Sequence, residues 1–187
     1  MTDAYIVGAV RSAGGKKNGR LSKIHPIDLA AEVVDALVAK TGVAVSEIDD
    51  LIFGCVSQVG AQSSNIARNI CLSSVLGEVV PGTTVDRQCG SGQQAMHFAA
   101  QGVLSGTQDL VIAGGVESMS QVPIGANIID GYKAEHGLPY GKKMSERYPG
   151  VQFNQFAGAE MLAHKYELTQ DELNAFAFDS HVKAKRA

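Results

Sequence analysis

The residues best suited to chemistry lie at Asp86-Arg87-Gln88-Cys89-Gly90-Ser91-Gly92. There a β-prone stretch hands over to small residues that open a mostly apolar helical pattern. A thiol at the first turn of a helix faces backbone N–H groups without intrahelical partners and the positive end of the helix dipole. Both favour the thiolate, which is the nucleophilic form, so the chemistry on offer is covalent catalysis. Gly90 and Gly92 let a substrate carbonyl approach the backbone unobstructed, and the Cys89 amide is a candidate donor to a developing oxyanion. Two other readings compete. Free cysteines are among the most buried residue types, which would make Cys89 an inert core thiol. Gly90-Ser91-Gly92 also resembles a phosphate cradle at a helix N-terminus, but the sequence holds neither Gly-x-Gly-x-x-Gly nor Gly-Lys-Ser/Thr.

A thiolate chemistry needs a base, and none can be assigned from the sequence. His97 follows Cys89 by two helical turns, about 12 Å along an axis and too far for direct proton transfer. His25, His136, His164 and His181 carry no motif and read as surface or capping residues. Asp86 would oppose a thiolate at Cys89 if it were close and unpaired, with Arg87 offsetting it. The other cysteines, Cys55 and Cys71, bring the total to three. An odd number without a Cys-x-x-Cys pair indicates neither a disulfide framework nor a zinc site, and no metal is expected.

The elements that must position Cys89 can be read from periodicity. Ala4 to Val10 is a continuous apolar run of strand length and is expected to be a buried strand. Pro26 opens a helix whose Ile27, Ala30, Val34, Leu37 and Val38 recur at helical spacing until Gly42. Leu51 to Val56 is a second strand, and Ile66, Ala67, Ile70 and Leu72 mark a second helix. Thr83-Thr84-Val85 leads into Cys89, the helix of Ala95 to Leu104 follows, and Leu110 to Ala113 is the next strand. Strands alternating with helices imply a mainly parallel sheet with helices on its faces. From Glu117 onward Gly and Pro punctuate a long stretch without sustained periodicity, an excursion of the kind that is usually functional. Two helices close the chain, one around Ala157 to His164 and one from Thr169, where Thr169-Gln170-Asp171-Glu172 has the form of a capping box.

Composition supports a globular α/β protein. The 187 residues are 45% apolar, carry a net charge of −3 and include 21 glycines. With no Trp and 6% aromatics, and with no basic stripe, the chain suits neither a base-stacking platform nor a phosphate backbone, so nucleic acid is not an expected partner. Its apolar runs are far shorter than a membrane span and no leader pattern opens it, so a cytoplasmic protein without a membrane partner is expected.

Four segments together resemble a known family. Gly54-Cys55-Val56-Ser57-Gln58, Asn65-Ile66-Ala67-Arg68, the Cys89 segment and Ala113-Gly114-Gly115-Val116-Glu117-Ser118-Met119-Ser120 occur in the order found in the N-terminal half of thiolases. That family comprises the acetyl-CoA acetyltransferases and 3-ketoacyl-CoA thiolases. The resemblance extends over essentially the whole chain. It implies a layered α/β/α half with a mainly parallel mixed sheet over residues 1–119, lacking its final strand, and the start of an inserted loop domain over residues 120–187. It makes Cys89 the acyl-accepting nucleophile, Cys55 structural and Cys71 non-catalytic. Coenzyme A and its thioesters are then substrates, and no cofactor is required. Full-length members pair as homodimers or homotetramers and serve fatty acid or ketone metabolism.

Members are about twice this length. Their Gly-His-Pro, Cys-x-Gly-Gly-Gly and Asn-Glu-Ala-Phe motifs, which complete the catalytic set, do not occur in this sequence. The resemblance therefore implies a fragment, a truncated gene product or one subunit of a split enzyme, without turnover by itself. A non-catalytic acyl-binding or interaction protein is the alternative from another class. A ketoacyl synthase-type condensing enzyme would share the fold and a cysteine nucleophile, but the Gly-Gly-x-Glu-x-Met-Ser element and the Cys-Gly-Ser-Gly flank favour thiolase. The chain departs from the family at Asp86, usually Asn, and at Gln93, more often apolar. Asn154-Gln155-Phe156 stands where biosynthetic members carry His-Met-Gly. By the resemblance these three line the acyl and pantetheine pocket, and Phe156 packing into the loop-domain core is the competing reading.

Overall fold

The computed structural model describes residues 3–186. In chain order the elements of the first part are α1 (Pro26–Thr41), β1 (Asp50–Gly54), α2 (Ile66–Ser73), β2 (Gly82–Val85), α3 (Ser91–Ser105), β3 (Val111–Gly115) and α4 (Ala126–Lys133). Helix α1 begins where Pro26 pre-sets the first turn and His25 Nδ1 accepts from the Ile27 N–H; it ends at Gly42 with φ of 70°. The three strands form one parallel sheet in the order β2-β1-β3, with Leu51 opposite Gly82 on one side and Ile112 on the other.

Alternation along the central strand divides the core into two layers. Leu51 and Phe53 face α1 and α2, packing with Ala30, Val34, Ile66 and Ile70. Ile52 points the opposite way and meets Ala95 and Ala99 of α3. The connection from β1 to β2 and the one from β2 to β3 run in opposite directions across the sheet. Right-handed crossovers therefore place α2 and α3 on opposite faces. The result is the expected α/β/α layering.

The expected first strand does not form. Tyr5, Ile6 and Val7 are 76%, 76% and 71% exposed, and the segment pairs with no strand among the described residues. Instead Gly8 lies against α1, where an added Cβ would come within 2.6 Å of Thr41 Cγ2, and the Ala9 carbonyl accepts from Lys40 Nζ at 3.2 Å. The run is apolar enough for a strand, but backbone pairing requires an edge within reach.

Contacts group the residues up to Leu138 into one unit and those from Pro139 onward into a second. Residues just past β3 stay with the first unit because Ser120 Oγ accepts from the Asn18 N–H at 3.2 Å and Val122 and Ala126 are buried. The stretch expected to lack periodic structure contains α4 and, in the second unit, α5 (Lys142–Arg147). The Gly and Pro residues bound these short helices: Gly125 caps α4 with φ of 82° and Gly141 precedes α5. The second unit continues with α6 (Gln155–Lys165) and α7 (Gln170–Arg186). Thr169 and Glu172 form the expected capping box, with the carboxylate accepting from the Thr169 N–H at 2.8 Å and Thr169 Oγ1 accepting from the Glu172 N–H at 3.3 Å. Among the described residues no helix is long and apolar enough to cross a membrane.

Candidate functional site

Three of the four motifs converge at the carboxyl ends of the strands, where ligands of open parallel sheets are ordinarily received. Gly54 to Gln58 leaves β1, Asp86 to Gly92 leaves β2, and Val116 to Ser118 leaves β3. Their close approach depends on glycine. A Cβ added to Gly54 would lie 2.5 Å from Gly92 N and from Ser91 C, and one added to Gly115 would lie 3.0 Å from the Gly54 oxygen. The end of β1 is thereby pressed directly against the start of α3. The fourth motif serves structure: Asn65 caps α2 and donates to the Gly82 carbonyl at 2.8 Å, while Arg68 donates to the Val80 carbonyl at 2.8 Å.

Cys89 is exposed, whereas Cys55 and Cys71 are buried, so it is not the inert core thiol of the competing reading. It lies just before the helix rather than in its first turn, because Gly90 is the N-cap and Ser91 the first helical residue. The turn that presents it is tight and strained. Gln88 has φ of 48°, a left-handed conformation that costs a side-chain-bearing residue about 1 kcal/mol. Asp86 Oδ1 accepts from the Gln88 N–H at 2.8 Å, so this carboxylate builds the turn. Ser91, 5% exposed, accepts from the Arg87 N–H at 2.9 Å and donates its hydroxyl to the Gln88 carbonyl at 2.6 Å.

Behind the turn, the buried Ser57 and Gln62 and the half-buried Glu117 tie the ends of β1 and β3 together. Glu117 Oε1 accepts from the Ser57 N–H at 2.9 Å. Gln62, fully buried, donates to the Ser57 carbonyl at 2.9 Å and accepts from the Ser118 N–H at 2.7 Å. Burial, together with the charges of Glu117 and Asp86, pushes the Cys55 thiol up to about 12. Burial likewise raises Cys71. Both stay protonated at neutral pH. Sequence reasoning missed Gln62 and Glu117 as braces, because their partners Ser118 and Ser57 lie more than fifty residues away, and Ser91 as a clamp, because the positive φ of Gln88 that it supports leaves no periodic trace.

Two histidines of the first unit have partners of their own. His25 caps α1, and the exposed His97 ring lies 3.5 Å from Gln93 Nε2 one turn back on α3. Among the described residues no cluster of three or more His, Cys, Asp or Glu is placed to hold a metal ion.

Within the second unit, Asn154 caps α6, its Oδ1 accepting from the Ala157 N–H at 2.8 Å. Gln155 is exposed, and Phe156 is 85% exposed, so Phe156 does not pack into a core of its own unit. A cleft of about 370 Å³ nearby is lined by Tyr140, Tyr148 and Phe153 and does not include these three residues. Its rings pack on one another, Tyr148 against Phe153 edge to face at 5.5 Å.

The fold and this site define a layered α/β domain that presents an exposed cysteine on a strained turn between a parallel strand and a helix N-terminus. Comparison with known proteins makes the assignment specific. The family described as thiolase, N-terminal domain, matches residues 4–187, and the chain belongs to the thiolase family. It is 43% identical over 186 residues to the steroid 3-ketoacyl-CoA thiolase FadA6 of Mycobacterium tuberculosis, covering 98% of this chain and 46% of the relative. It is 40% identical over 183 residues to a 3-ketoacyl-CoA thiolase of Acinetobacter baumannii, covering 97% of this chain and 44% of that protein. The chain thus spans less than half the length of these curated relatives.

Proposed function

We propose that this chain is the nucleophile-bearing part of a thiolase, with Cys89 accepting the acyl group. The observation that carries the reading is the exposed Cys89 on its braced, left-handed turn, at the point where three family motifs meet. In thiolysis the Cys89 thiolate attacks the keto carbon of a 3-ketoacyl-CoA. The bond between Cα and that carbon breaks, acetyl-CoA leaves as an enolate that takes up a proton, and the acyl group remains on sulfur. A second coenzyme A thiol then attacks the thioester, releasing acyl-CoA and restoring the cysteine. Run in reverse, the same steps condense acetyl groups. The Cys89 amide donates to the oxyanion. Asn154, Gln155 and Phe156 supply part of the acyl and pantetheine pocket, and the full-length protein is a homodimer or homotetramer of fatty acid or ketone metabolism.

The residues of this chain supply the acyl-accepting half of that reaction. The test of the main reading is thiolysis of a 3-ketoacyl-CoA by a polypeptide extended to the length of the relatives. Cys89→Ala is expected to reduce the rate to background, and an unchanged rate would overturn the assignment.

A further inference from the structure

We propose that Ser91 is a positioning residue for Cys89, acting by holding Gln88 in its left-handed conformation. This inference rests on Cys89 being the acyl acceptor and concerns how that thiol is aimed. The Ser91 hydroxyl is buried and used twice, as acceptor for Arg87 N–H and as donor to the Gln88 carbonyl. The Ser91 amide donates to that same carbonyl at 3.0 Å, and the Asp86 carboxylate holds the amide on the other side of Gln88. Both peptide groups of the strained residue are therefore gripped. The peptide that joins Gln88 to Cys89 fixes the direction in which the Cys89 side chain leaves the backbone. A φ of 48° is costly for a side-chain-bearing residue such as glutamine, and these bonds offset that cost. Ser91 is itself seated by packing, because Gly54 brings β1 close against its carbonyl carbon. Strand, clamp and nucleophile form one mechanical chain: β1 seats Ser91, Ser91 locks Gln88, and Gln88 aims Cys89.

If strain at Gln88 is what Ser91 opposes, relieving the strain replaces the clamp. Glycine enters the left-handed region without the Cβ penalty, so Gln88→Gly is expected to rescue Ser91→Ala, which a hydroxyl serving only to fill a buried space would not allow. The experiment compares wild type, S91A, Q88G and the double variant of this chain by amide hydrogen exchange over residues 86–91. The same four proteins are assayed for the rate of acetyl transfer from acetyl-CoA to Cys89, followed by intact mass. S91A is expected to speed exchange at Gly90 and Ser91 about tenfold, as for loss of one to two net hydrogen bonds. It is expected to lower the saturating acetylation rate by a similar factor without changing the half-saturating acetyl-CoA concentration. The double variant is expected to regain most of both, while the Arg87 amide, having lost its acceptor, stays fast. Unchanged exchange in S91A, or a double variant no better than S91A, overturns the clamp. A wild type that takes up no acetyl group on Cys89 overturns the reading of Cys89 instead, and the exchange pattern still decides the clamp.

Discussion

Both units of this chain contain helices, but they bury very different amounts of apolar surface. In the unit ending at Leu138, Leu51, Ile66, Ile70 and Val80 are essentially inaccessible, and the sheet has helices on both faces. From Pro139 onward no described residue is buried, and Phe156, Phe176 and Phe178 are 85%, 81% and 71% exposed. The second unit's helices are instead secured locally, by the Asn154 cap, the Thr169–Glu172 box and the Lys142–Glu146 and Asp179–Lys183 pairs. Caps and exposed i,i+4 pairs set where a helix starts and contribute only tenths of a kcal/mol to about 1 kcal/mol each. Burial sets what can be held rigid. The braced turn of Cys89 belongs to the unit that has a core, and the expected pocket residues Asn154 to Phe156 belong to the unit that lacks one.

The difference can be broken by mutation. Leu51→Ala removes a fully buried side chain from the centre of the sheet and is expected to lower the stability of the first unit by about 2–5 kcal/mol in chemical denaturation; a loss below 1 kcal/mol would mean the core is not the support described. Gly54→Ala drives a methyl group into the backbone of α3 and is expected to cost about 1–3 kcal/mol by overpacking. Hydrogen exchange should speed over residues 88–92 before the rest of the unit, and uniform exchange would contradict the strand-to-turn contact.

Alkaline titration separates the units next. Cys55 ionises in the fold only near 12 against an ordinary value of 9.0. Between those values the unfolded chain has lost the proton and the folded chain has kept it, so stability falls as pH rises from about 9. The melting temperature of the first unit is expected to drop across that window and to drop less in Cys55→Ala. The smallest effects belong to the second unit. Gly158 lies in α6 with open space around it, so Gly158→Ala is expected to slow α6 amide exchange by stabilising the helix about 1 kcal/mol. Phe176→Ala, at an exposed site, is expected to change stability by less than about 0.5 kcal/mol; a larger loss would show that the second unit has a core after all.

Legibility followed the range of the interaction. Pro26 and Gly42 announce α1, Thr169 and Glu172 announce α7, and Cys89 with its glycines announces the turn, because each signal lies within a few residues of what it controls. The run from Ala4 to Val10 announces a strand by its composition, but pairing depends on an edge elsewhere and does not occur. The long-range braces Gln62 and Glu117 were hidden for the same reason, whereas the local clamp Ser91 was hidden because backbone φ leaves no mark in the sequence. Gln62 and Glu117 look like ordinary polar residues until the ends of β1 and β3 come together, and Ser91 looks like a small linker until Gln88 is seen with positive φ. Helices α4 and α5 were not legible: among the described residues α4 buries only Ala126 and α5 buries none, so no apolar face marks them beyond the glycines before them.

The claim that the first unit carries the acyl-accepting chemistry is tested most directly by treating this chain with acetyl-CoA at neutral pH and mapping the modified peptide by mass spectrometry. The account predicts one acetyl group, on Cys89, with Cys55 and Cys71 unmodified and no incorporation into Cys89→Ala. Acetyl groups on Cys55 or Cys71, or equal labelling of the Cys89→Ala variant, would contradict it.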